Sequence, residues 1–434
     1  METNLNQYPA RVSFSHNLKQ LLKKKESISE ISVVGRIMRD HQNHWFLYED
    51  GIRVKINLNE SVPSINEGDY VVVRGSYHHK DEPCLVAYQI KPCSICAVST
   101  RGLRNLEGMG GLELILDSEK RENIILRSKA IKKIRSFLDG QGFVEVETPI
   151  LRYFPSVSSI QMTTNSIINR HKYFLRGSPE RHILRLALSL PKFYEIGKCF
   201  RDKECDSTHS PEFTMLEFYS TFKDYRDMMT MTEKLIEEVA IECRGTTKLF
   251  FNGYNIDVKS PWEKITVREA GIKFYGIDLI EAPDYEIKKF LGIKEDVTRS
   301  ILLKRFIEEK LERLFIQPTF LMDYPLGVGA PDKPNETDPR TMERAEGFLA
   351  RGLELVNLGT LNNDYQFLRE HYTKNIERKY GADKIAEYLD EDFLYEIGCG
   401  IPPLACSGIG IDRLIMVLTG EKHINRVICY PFKR

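Results

Sequence analysis

The sequence has no excess of charge of either sign and no long apolar segment. Its 434 residues include 62 lysines and arginines and 62 aspartates and glutamates, so the formal net charge is +0. A global positive field that would attract nucleic acid is therefore excluded, and any such binding must come from a local basic patch. No stretch has the length and hydropathy of a signal peptide or a membrane-spanning helix, so we expect a cytoplasmic protein that does not bind membranes.

Cysteines are few, and they do not form a disulfide or zinc pattern. The nine cysteines are scattered along the chain, which is typical of reduced thiols in the cytosol. One close pair, Cys93 and Cys96, has no second pair that would complete the four ligands of a zinc site. We therefore interpret these residues as ordinary thiols and expect no zinc.

The length predicts more than one domain, because 434 residues exceed what one ordinary hydrophobic core organises. Five short β-type runs separated by turn residues predict a five-stranded β-barrel of the oligonucleotide-binding (OB) type. In such a barrel Trp45, Phe46 and Tyr48 could stack on bases, although strand aromatics more often pack in a core. The predicted organisation is an N-terminal extension over residues 1–30, the barrel over 31–98, a glycine-rich linker over 99–122 and a second domain over 123–434.

In the second domain, predicted strands follow one another without a regularly alternating helix. This order favours an antiparallel α+β sheet over a doubly wound parallel one. The predicted strands are 173–176, 193–201, 212–219, 352–357 and 426–430. The predicted helices are approximately 180–190, 225–243, 296–313, 363–379 and 411–419.

The stretch FYEIGKCFRDKECDSTHSPEFTMLEFY, residues 193–219, predicts two strands joined by a charged loop. Alternate side chains of a strand face opposite sides, so Leu216 and Phe218 share one face while Glu217 and Tyr219 share the other. A buried carboxylate is costly unless a cation is near it. Glu217 therefore requires either an internal salt bridge or a cationic ligand, and the strand pattern leaves both open.

Two arginines far apart in the sequence are suited to bind a nucleotide. Arg201 and His209 lie in the loop of the hairpin, where an arginine can grip phosphate with a forked pair of hydrogen bonds, and Phe213 follows at a distance suited to stacking on a base. Near the C-terminus, GIPPLACSGIGIDRLIMVLTG combines small residues that admit a ligand close to the backbone with a helix that begins near Arg413.

These two stretches resemble motifs 2 and 3 of the class II aminoacyl-tRNA synthetases. SPEFTMLEFY, GIGIDRLIMVLT and VICYPF are similar to the lysyl-tRNA synthetase branch. RSKAIKKIRSFLDGQGFVEVETPIL resembles motif 1, whose end at Pro149 usually lies in a dimer interface, and GRIM at residues 35–38 resembles the start of that branch's anticodon-binding barrel. The resemblance extends over nearly the whole chain.

The resemblance implies an ATP- and Mg²⁺-dependent ligase that activates lysine or a lysine-like amino acid and transfers it to tRNA. It also implies a homodimer. It also implies roles for individual residues. Arg201 and Arg413 would be catalytic. ATP would be bound by Arg201, Glu204, His209, Phe213, Glu354 and Arg413. The amino acid would be bound by Glu180, Glu217, Tyr219 and Asn357, Mg²⁺ by Glu354 and Glu346, and tRNA by Arg36, Trp45 and Glu49.

The sequence departs from the pattern of this branch at several positions. In ELVNLGTLNND, Gly359 stands where the lysyl enzymes have a phenylalanine, and Leu361 where they have a second glutamate. Lys203 replaces a glutamate, and we expect Glu204 to take over its contact with adenine. The spacing from Glu346 to Glu354 is one residue longer than in the family. The remaining departures are FPSVSSIQM in place of a glycine-rich substrate loop, and Glu49 in place of a glutamine that reads an anticodon base.

Two alternatives remain open. The chain could pass its activated amino acid to a protein or a small molecule, like the truncated paralogues that modify an elongation factor, although those paralogues lack a barrel. It could instead be a non-catalytic tRNA-binding regulator, with Lys203, Gly359 and Leu361 as signs of lost activity. The retained residues that argue against the second alternative are Arg201, Phe213, Glu354 and Arg413.

Overall fold

The structure, a computed structural model, describes residues 12–40, 42–58, 65–79, 82–96, 111–156, 161–168, 170–202 and 205–432. The chain divides into two compact units, residues 1–121 and 122–434. Within the described ranges, no helix combines the length and hydropathy needed to cross a membrane. Lys203 and Glu204 lie outside the described residues, as does part of the FPSVSSIQM segment.

The first unit contains a closed five-stranded barrel, which confirms the prediction of an N-terminal OB-type β-barrel. Its strands are β1 (Ile28–Arg39), β2 (Trp45–Glu49), β3 (Ile52–Leu58), β4 (Tyr70–His78) and β5 (Cys84–Ser94), in the spatial order β1-β2-β3-β5-β4. Inward-facing residues such as Val33, Leu47 and Val71 fill the barrel, and Leu18 and Leu21 of α1 (Leu18–Lys23) join this core. A second helix, α2 (Gly111–Leu116), falls within the stretch predicted as a linker.

The second unit contains most of the helices and strands. Its helices are α3 (Ser118–Gly140, which begins just before the unit), α4 (Glu180–Ile183), α5 (Tyr225–Arg244), α6 (Val267–Tyr275), α7 (Asp284–Leu291), α8 (Arg299–Phe306), α9 (Tyr365–Tyr380), α10 (Ile385–Tyr388), α11 (Glu391–Gly398) and α12 (Ile411–Thr419). Its strands are β6 (Val144–Glu145), β7 (Leu151–Arg152), β8 (Thr163–Asn165), β9 (Lys172–Leu175), β10 (Lys192–Phe200), β11 (Glu212–Thr221), β12 (Lys248–Phe251), β13 (Tyr254–Asp257), β14 (Glu263–Thr266), β15 (Thr319–Pro325), β16 (Thr341–Leu349), β17 (Leu353–Thr360) and β18 (Leu404–Gly410).

An eight-stranded sheet forms the centre of this unit, in the order β14-β15-β16-β17-β18-β11-β10-β6. Its six inner strands pair antiparallel, and the two edge strands pair parallel with their neighbours. The predicted α+β class with an antiparallel sheet is therefore confirmed. Two smaller sheets, β12-β13 and β7-β9-β8, accompany it.

One face of this sheet packs against helices α3, α5 and α12. Leu216 and Phe218 point into this core, as their alternation with Glu217 predicts. Helix α5 begins where Asp224 accepts hydrogen bonds from the N–H groups of Arg226 and Asp227, and it ends at Gly245, whose φ is 73°. The opposite face of the sheet carries polar side chains, and we call it the polar face.

One predicted strand is wrong, and one predicted helix is confirmed with an irregular second half. The predicted strand 426–430 is instead a 3₁₀ turn over Ile424–Val427, and within the described ranges the residues after it join no sheet. Val427 is buried by the packing of this turn, and Pro431 has no N–H to donate to a ladder. The predicted helix 296–313 begins at Arg299 and continues from Phe306 as a π-helical turn over Ile307–Leu311.

Candidate active site

Two rows of directly opposed residues cross the polar face. Cross-strand neighbours in an antiparallel sheet share a face, and adjacent strands lie about 4.8 Å apart. The first row, across β11, β18, β17 and β16, is Glu217, Gly408, Asn357 and Glu346. The second row, across the same strands, is Tyr219, Cys406, Gly359 and Arg344. Residues from widely separated parts of the chain therefore line one surface.

At one end of the polar face, Arg201 lies over the ring of Phe213. Its guanidinium carbon is 5.1 Å from the ring centroid, and its Nε donates a long hydrogen bond of 3.3 Å to the carbonyl of Gly177. Among the described residues, no carboxylate lies within salt-bridge distance of Arg201. Its forked N–H groups are therefore available to an anionic ligand beside an aromatic ring.

Arg413 joins His209 and Glu354 into one cluster. Its Nη2 lies 2.8 Å from Nε2 of His209, and its Nη1 donates to the Glu354 carbonyl at 2.7 Å. Because an arginine only donates, Nε2 of His209 must accept, and the ring proton lies on Nδ1, which faces the carboxylate of Asp206 at 2.8 Å. The fold therefore unites three of the predicted ATP-binding residues.

The neighbouring Asp412 fixes the helix that carries Arg413. Its buried carboxylate accepts hydrogen bonds from Arg127 at 2.6 Å and from the backbone N–H of Thr214 at 2.8 Å. Helix α12 is thereby tied to α3 and to β11 at its first turn. The contacts of Asp412 therefore fix the backbone of Arg413, and the Arg413 side chain extends to His209 and Glu354.

The two predicted metal ligands converge in spite of their longer spacing. Val356 pairs with Gly347 and Glu354 pairs with Phe348, so Leu355 is an extra residue that forms a β-bulge. The bulge accommodates the additional residue, and the amide of Asn357 lies 3.1 Å from Glu346 Oε1 and 3.4 Å from Glu354 Oε1. The carboxylate pair is therefore intact, and Asn357 contacts it.

A third carboxyl group, missed by the sequence analysis, lies near this pair. Glu312 directly follows the π-helical turn, a feature that often marks functional sites. Burial, together with the charges of Glu346 and Glu354, raises the pKa of Glu312 to about 8. This carboxyl group therefore carries its proton at neutral pH, and a cation bound nearby would favour its ionisation.

Glu217 is buried but has no salt bridge to a residue that the structure describes. It is 6% exposed, and its two oxygens accept hydrogen bonds from Ser178 at 2.8 Å and from Tyr219 at 2.5 Å. By contrast, its cross-strand neighbour Glu195 forms an internal salt bridge with Arg176 at 2.6 Å. Burial raises the pKa of Glu217, and the two hydroxyl donors partly offset this effect. Of the two explanations left open by the sequence, an internal salt bridge is not found among the described residues, and a cationic ligand stays a prediction.

Glu180 lies beside Glu217 at the start of α4. Its backbone N–H donates to Ser178 Oγ at 3.0 Å, the same hydroxyl that donates to Glu217. Burial, followed by the charge of Glu217, raises the pKa of Glu180. Arg152, also buried and missed by the sequence analysis, donates to the Ser178 carbonyl and partly offsets both shifts. The two carboxyl groups therefore lie close enough to influence each other's pKa, and Arg152 offsets only part of this effect.

The structure gives a reason for Gly359. A Cβ atom at this position would lie only 2.6 Å from Oδ1 of Asp332, so the aspartate occupies the space that a side chain would need. Asp332 is 2% exposed and accepts a hydrogen bond of 2.8 Å from Arg344. Its backbone forms a β-bridge with Leu361. The two departures at 359 and 361 therefore lie against one aspartate from a distant loop.

In the barrel, aromatic rings and arginines form pairs. Arg39 lies 4.0 Å from the ring centroid of Trp45, and Arg53 lies 5.2 Å from that of Phe46. Trp45 has the same strand parity as Leu47 and packs partly against the barrel core. Such pairs place positive charge beside aromatic rings on the barrel, and the predicted role of Trp45 in binding tRNA stays a prediction.

The other two predicted tRNA-binding residues make structural contacts. The guanidinium of Arg36 lies 5.1 Å from the ring centroid of Tyr70. The carboxylate of Glu49 accepts the backbone N–H of Leu18 at 2.5 Å, at the start of α1. Glu49 therefore has a partner within the barrel already, and Arg36 faces an aromatic ring.

The fold thus brings most of the predicted residues together and adds others. Asp332, Arg344, Glu312 and Arg152 had no motif to reveal them, whereas Ser178 lies two residues before Glu180 in SPERHILRL and was not singled out. Arg344 and Glu346 are two residues apart on one strand, and this spacing could have predicted that their side chains share a face of the sheet. Asp332 comes from the loop GAPDKPNETDP, whose position is set by tertiary packing alone.

The chain is similar to known proteins over its whole length. Residues 111–434 match the family described as tRNA synthetases class II (D, K and N). Lysine–tRNA ligase of Moorella thermoacetica is 32% identical over 469 aligned positions, which cover 100% of this chain and 95% of the relative. Lysine–tRNA ligase of Clostridium tetani is 31% identical, with 97% and 91% covered. Lysine–tRNA ligase of Bacillus subtilis is 35% identical over 332 positions, with 74% and 66% covered.

Proposed function

The chain belongs to the class II tRNA synthetases (D, K and N), and we propose that it activates lysine, or an amino acid like it, with ATP and transfers it to tRNA. The observation that carries the choice of amino acid is Glu217, a buried carboxylate whose partners are two hydroxyl groups. A side-chain ammonium group would supply a direct ion pair, whereas a neutral side chain would leave the carboxylate with its two hydroxyl donors and the charge of Arg152, which offsets its burial only in part.

In this reaction the amino-acid carboxylate attacks the α-phosphorus of ATP, and pyrophosphate leaves. Such chemistry depends on positioning and on stabilisation of charge. We assign Arg201 to the α-phosphate and the substrate carboxylate, and His209 to the pyrophosphate end. Phe213 and Arg413 would hold the adenine between a ring and a guanidinium. The availability of Arg201 to an anion supports this assignment.

The carboxylates of Glu346 and Glu354 suit Mg²⁺, which prefers oxygen ligands and commonly takes one or two carboxylates together with phosphates. Within the described part of the chain, no three His, Cys, Asp or Glu side chains form a complete metal site. Phosphate oxygens of ATP would therefore supply further ligands. When bound, Mg²⁺ would neutralise charge on the phosphates.

An exchange assay tests the proposal. The chain should incorporate labelled pyrophosphate into ATP when lysine is present, and each other amino acid should be less effective. Added tRNA should then become aminoacylated. Exchange with lysine but no charging of any tRNA would favour a protein or small-molecule acceptor. Binding of ATP without exchange for any amino acid or lysine analogue would contradict the proposal and favour a non-catalytic regulator.

Replacing Glu354 with glutamine should raise the Mg²⁺ concentration needed for half-maximal exchange by roughly 10-fold or more, because a neutral amide is a weaker ligand than a carboxylate. Titration of Mg²⁺ at saturating ATP and lysine measures this effect. Glu343→Gln is the matched control, because Glu343 lies on β16, the strand that carries Glu346, and has the opposite parity to Glu346. Equal Mg²⁺ requirements for wild type and Glu354→Gln would exclude Glu354 as a ligand.

Replacing Trp45 with alanine should weaken tRNA binding by roughly 5- to 150-fold, the range for one lost base–aromatic stack, while exchange stays unchanged. Trp45→Phe should restore most of the affinity. The control is Tyr88→Ala, which removes an exposed aromatic from β5 of the same barrel. If Tyr88→Ala weakened binding as much as Trp45→Ala, the effect would not be specific to Trp45.

We also propose that the chain forms a homodimer through the region after α3. Exposed apolar side chains concentrate there, including Val144 at 48% and Tyr153 at 63% exposure, with Ile150 and Leu151 between them. Such a surface suits burial against a second copy. Light scattering should give twice the chain mass, and a monomer mass at micromolar concentration would contradict the dimer.

A further inference from the structure

Asp332 shares the side of the sheet that Glu217 faces. Tyr219, Cys406 and Gly359 are consecutive members of one row across three strands, so they present the same face. The carboxylate of Asp332 lies where the side chain of Gly359 would extend, on that face. Two strand spacings, about 10 Å, separate the row positions of Gly359 and Tyr219. An amino acid bound over Cys406 would therefore have carboxylates on both sides.

The electrostatics of Cys406 agree with this placement. Burial raises the pKa of its thiol well above the usual value, and the next contributions come from the charges of Asp332, Glu180 and Glu217. These three carboxylates therefore all lie near one side chain. They belong to a loop, a short helix and a strand that are far apart in the sequence.

Part of the Asp332 carboxylate is uncommitted. Arg344 donates to Oδ2, and no group of the residues that the structure describes donates to Oδ1. Arg344 is also shared, because it donates to Glu346 Oε1 at 2.7 Å. One guanidinium thus faces two carboxylates and does not neutralise both.

We propose that Asp332 is a specificity-determining residue whose carboxylate supplies the second negative charge for the side-chain ammonium group of a lysine-type substrate. It would take the place of the carboxylate that position 361 lacks, since Asp332 forms a β-bridge with Leu361 and fills the space beside Gly359. This inference rests on the proposed function. It explains how the pocket keeps a second carboxylate although the motif has none.

The test compares lysine with norleucine, which has the same carbon chain without the ammonium group. Asp332→Asn keeps the size of the side chain and removes its charge. We expect kcat/KM for lysine to fall roughly 10- to 150-fold, the range for one charged hydrogen bond, with the KM for ATP unchanged. The preference for lysine over norleucine should fall by a similar factor.

A second variant reaches the same carboxylate by another route. Gly359→Ala places a methyl group where Asp332 Oδ1 lies and should displace the aspartate, with the same loss of lysine preference. Because both changes act on one group, the double variant should lose little more than either single one. If Asp332→Asn lacks a cooperative melting transition, the preference of Gly359→Ala for lysine over norleucine serves as the test instead.

Asp338→Asn is the matched control, because Asp338 comes from the same segment and is bound to an exposed arginine, Arg340, which also contacts Glu281. It should leave the lysine preference unchanged. An unchanged preference for lysine over norleucine in both Asp332→Asn and Gly359→Ala would overturn this inference. An equal loss of kcat/KM for lysine and norleucine, together with a raised KM for ATP, would also overturn it, because that result would indicate a structural role through Arg344. These outcomes leave the proposed function standing, whereas absence of exchange in the wild type would overturn the proposed function and this inference with it.

Discussion

Replacing Arg201 with lysine should lower ATP-dependent pyrophosphate exchange by roughly 10²- to 10³-fold, the range for loss of one preorganised donor to developing charge. Lysine keeps the positive charge but cannot offer two N–H groups in a fixed plane to phosphate and carboxylate oxygens. The side chain lies over Phe213 and makes one long hydrogen bond to a carbonyl, so its replacement breaks no ion pair of the described protein. Folding should therefore be nearly unaffected.

The exchange rate at saturating ATP and lysine, together with the melting temperature, measures this effect. Arg369→Lys is a suitable control, because Arg369 forms a forked pair with Glu391 at 2.7 Å on the surface. That substitution should leave exchange within about twofold of wild type, since surface ion pairs contribute little. If Arg201→Lys retained full exchange, Arg201 would not bind the reacting groups.

Replacing Glu217 with glutamine should lower kcat/KM for lysine by roughly 30- to 5000-fold, because one partner of a desolvated charge pair is lost. The affinity for ATP should stay nearly the same, since the hydrogen-bond partners of Glu217 are Ser178 and Tyr219, and neither is assigned to ATP. Exchange assays at varied lysine and varied ATP separate the two quantities. Equal weakening for both substrates would contradict the assignment of Glu217 to the ammonium group.

The same substitution should stabilise the free protein. Burial raises the pKa of Glu217, so the folded chain retains this proton to a higher pH than the unfolded chain does. The free energy of unfolding therefore falls as the pH rises through the interval between the two pKa values, and the ionised carboxylate destabilises the fold at pH 8. Glu217→Gln should raise the melting temperature at pH 8, and the difference should shrink as the pH falls below about 4, because the carboxyl group then becomes protonated in the unfolded state as well.

Glu195 provides a control in which the same substitution should change the stability in the opposite direction. It lies directly across from Glu217 on β10, but it is paired with Arg176. Glu195→Gln leaves a buried guanidinium without its counterion and should reduce stability by about 3–5 kcal/mol. Two glutamates at paired positions would thus respond in opposite directions, and equal changes in melting temperature would contradict the account of Glu217.

The fold could be predicted where local pattern and tertiary packing agree. The helix predicted at 411–419 matches α12, because its apolar residues all pack into the core and Gly420 ends it with a φ of 81°. Strands β15, β16 and β18 were missed, since their buried residues do not alternate cleanly with polar ones. Strands in the middle of a covered sheet lose this alternation because both faces are buried.

The candidate site could be predicted where motif residues are also neighbours in the sheet. Glu217 and Tyr219 are two apart on one strand, and strand geometry alone puts them on one face. The contact of Asp332 with Gly359 joins a loop to a strand 27 residues later, and no periodicity in the sequence encodes it. Contacts of this kind depend on where the loop is held, which the packing of the whole unit decides.

The bulged residue Leu355 affects how related genes should be recognised. A search that requires a fixed count between the two acidic positions would reject this chain as defective, yet the amide of Asn357 touches both carboxylates. A one-residue insertion in β17 therefore leaves the acidic pair intact, because the ladder absorbs it as a bulge. Homologues should be compared by strand pairing, not by residue counting, before their catalytic competence is judged.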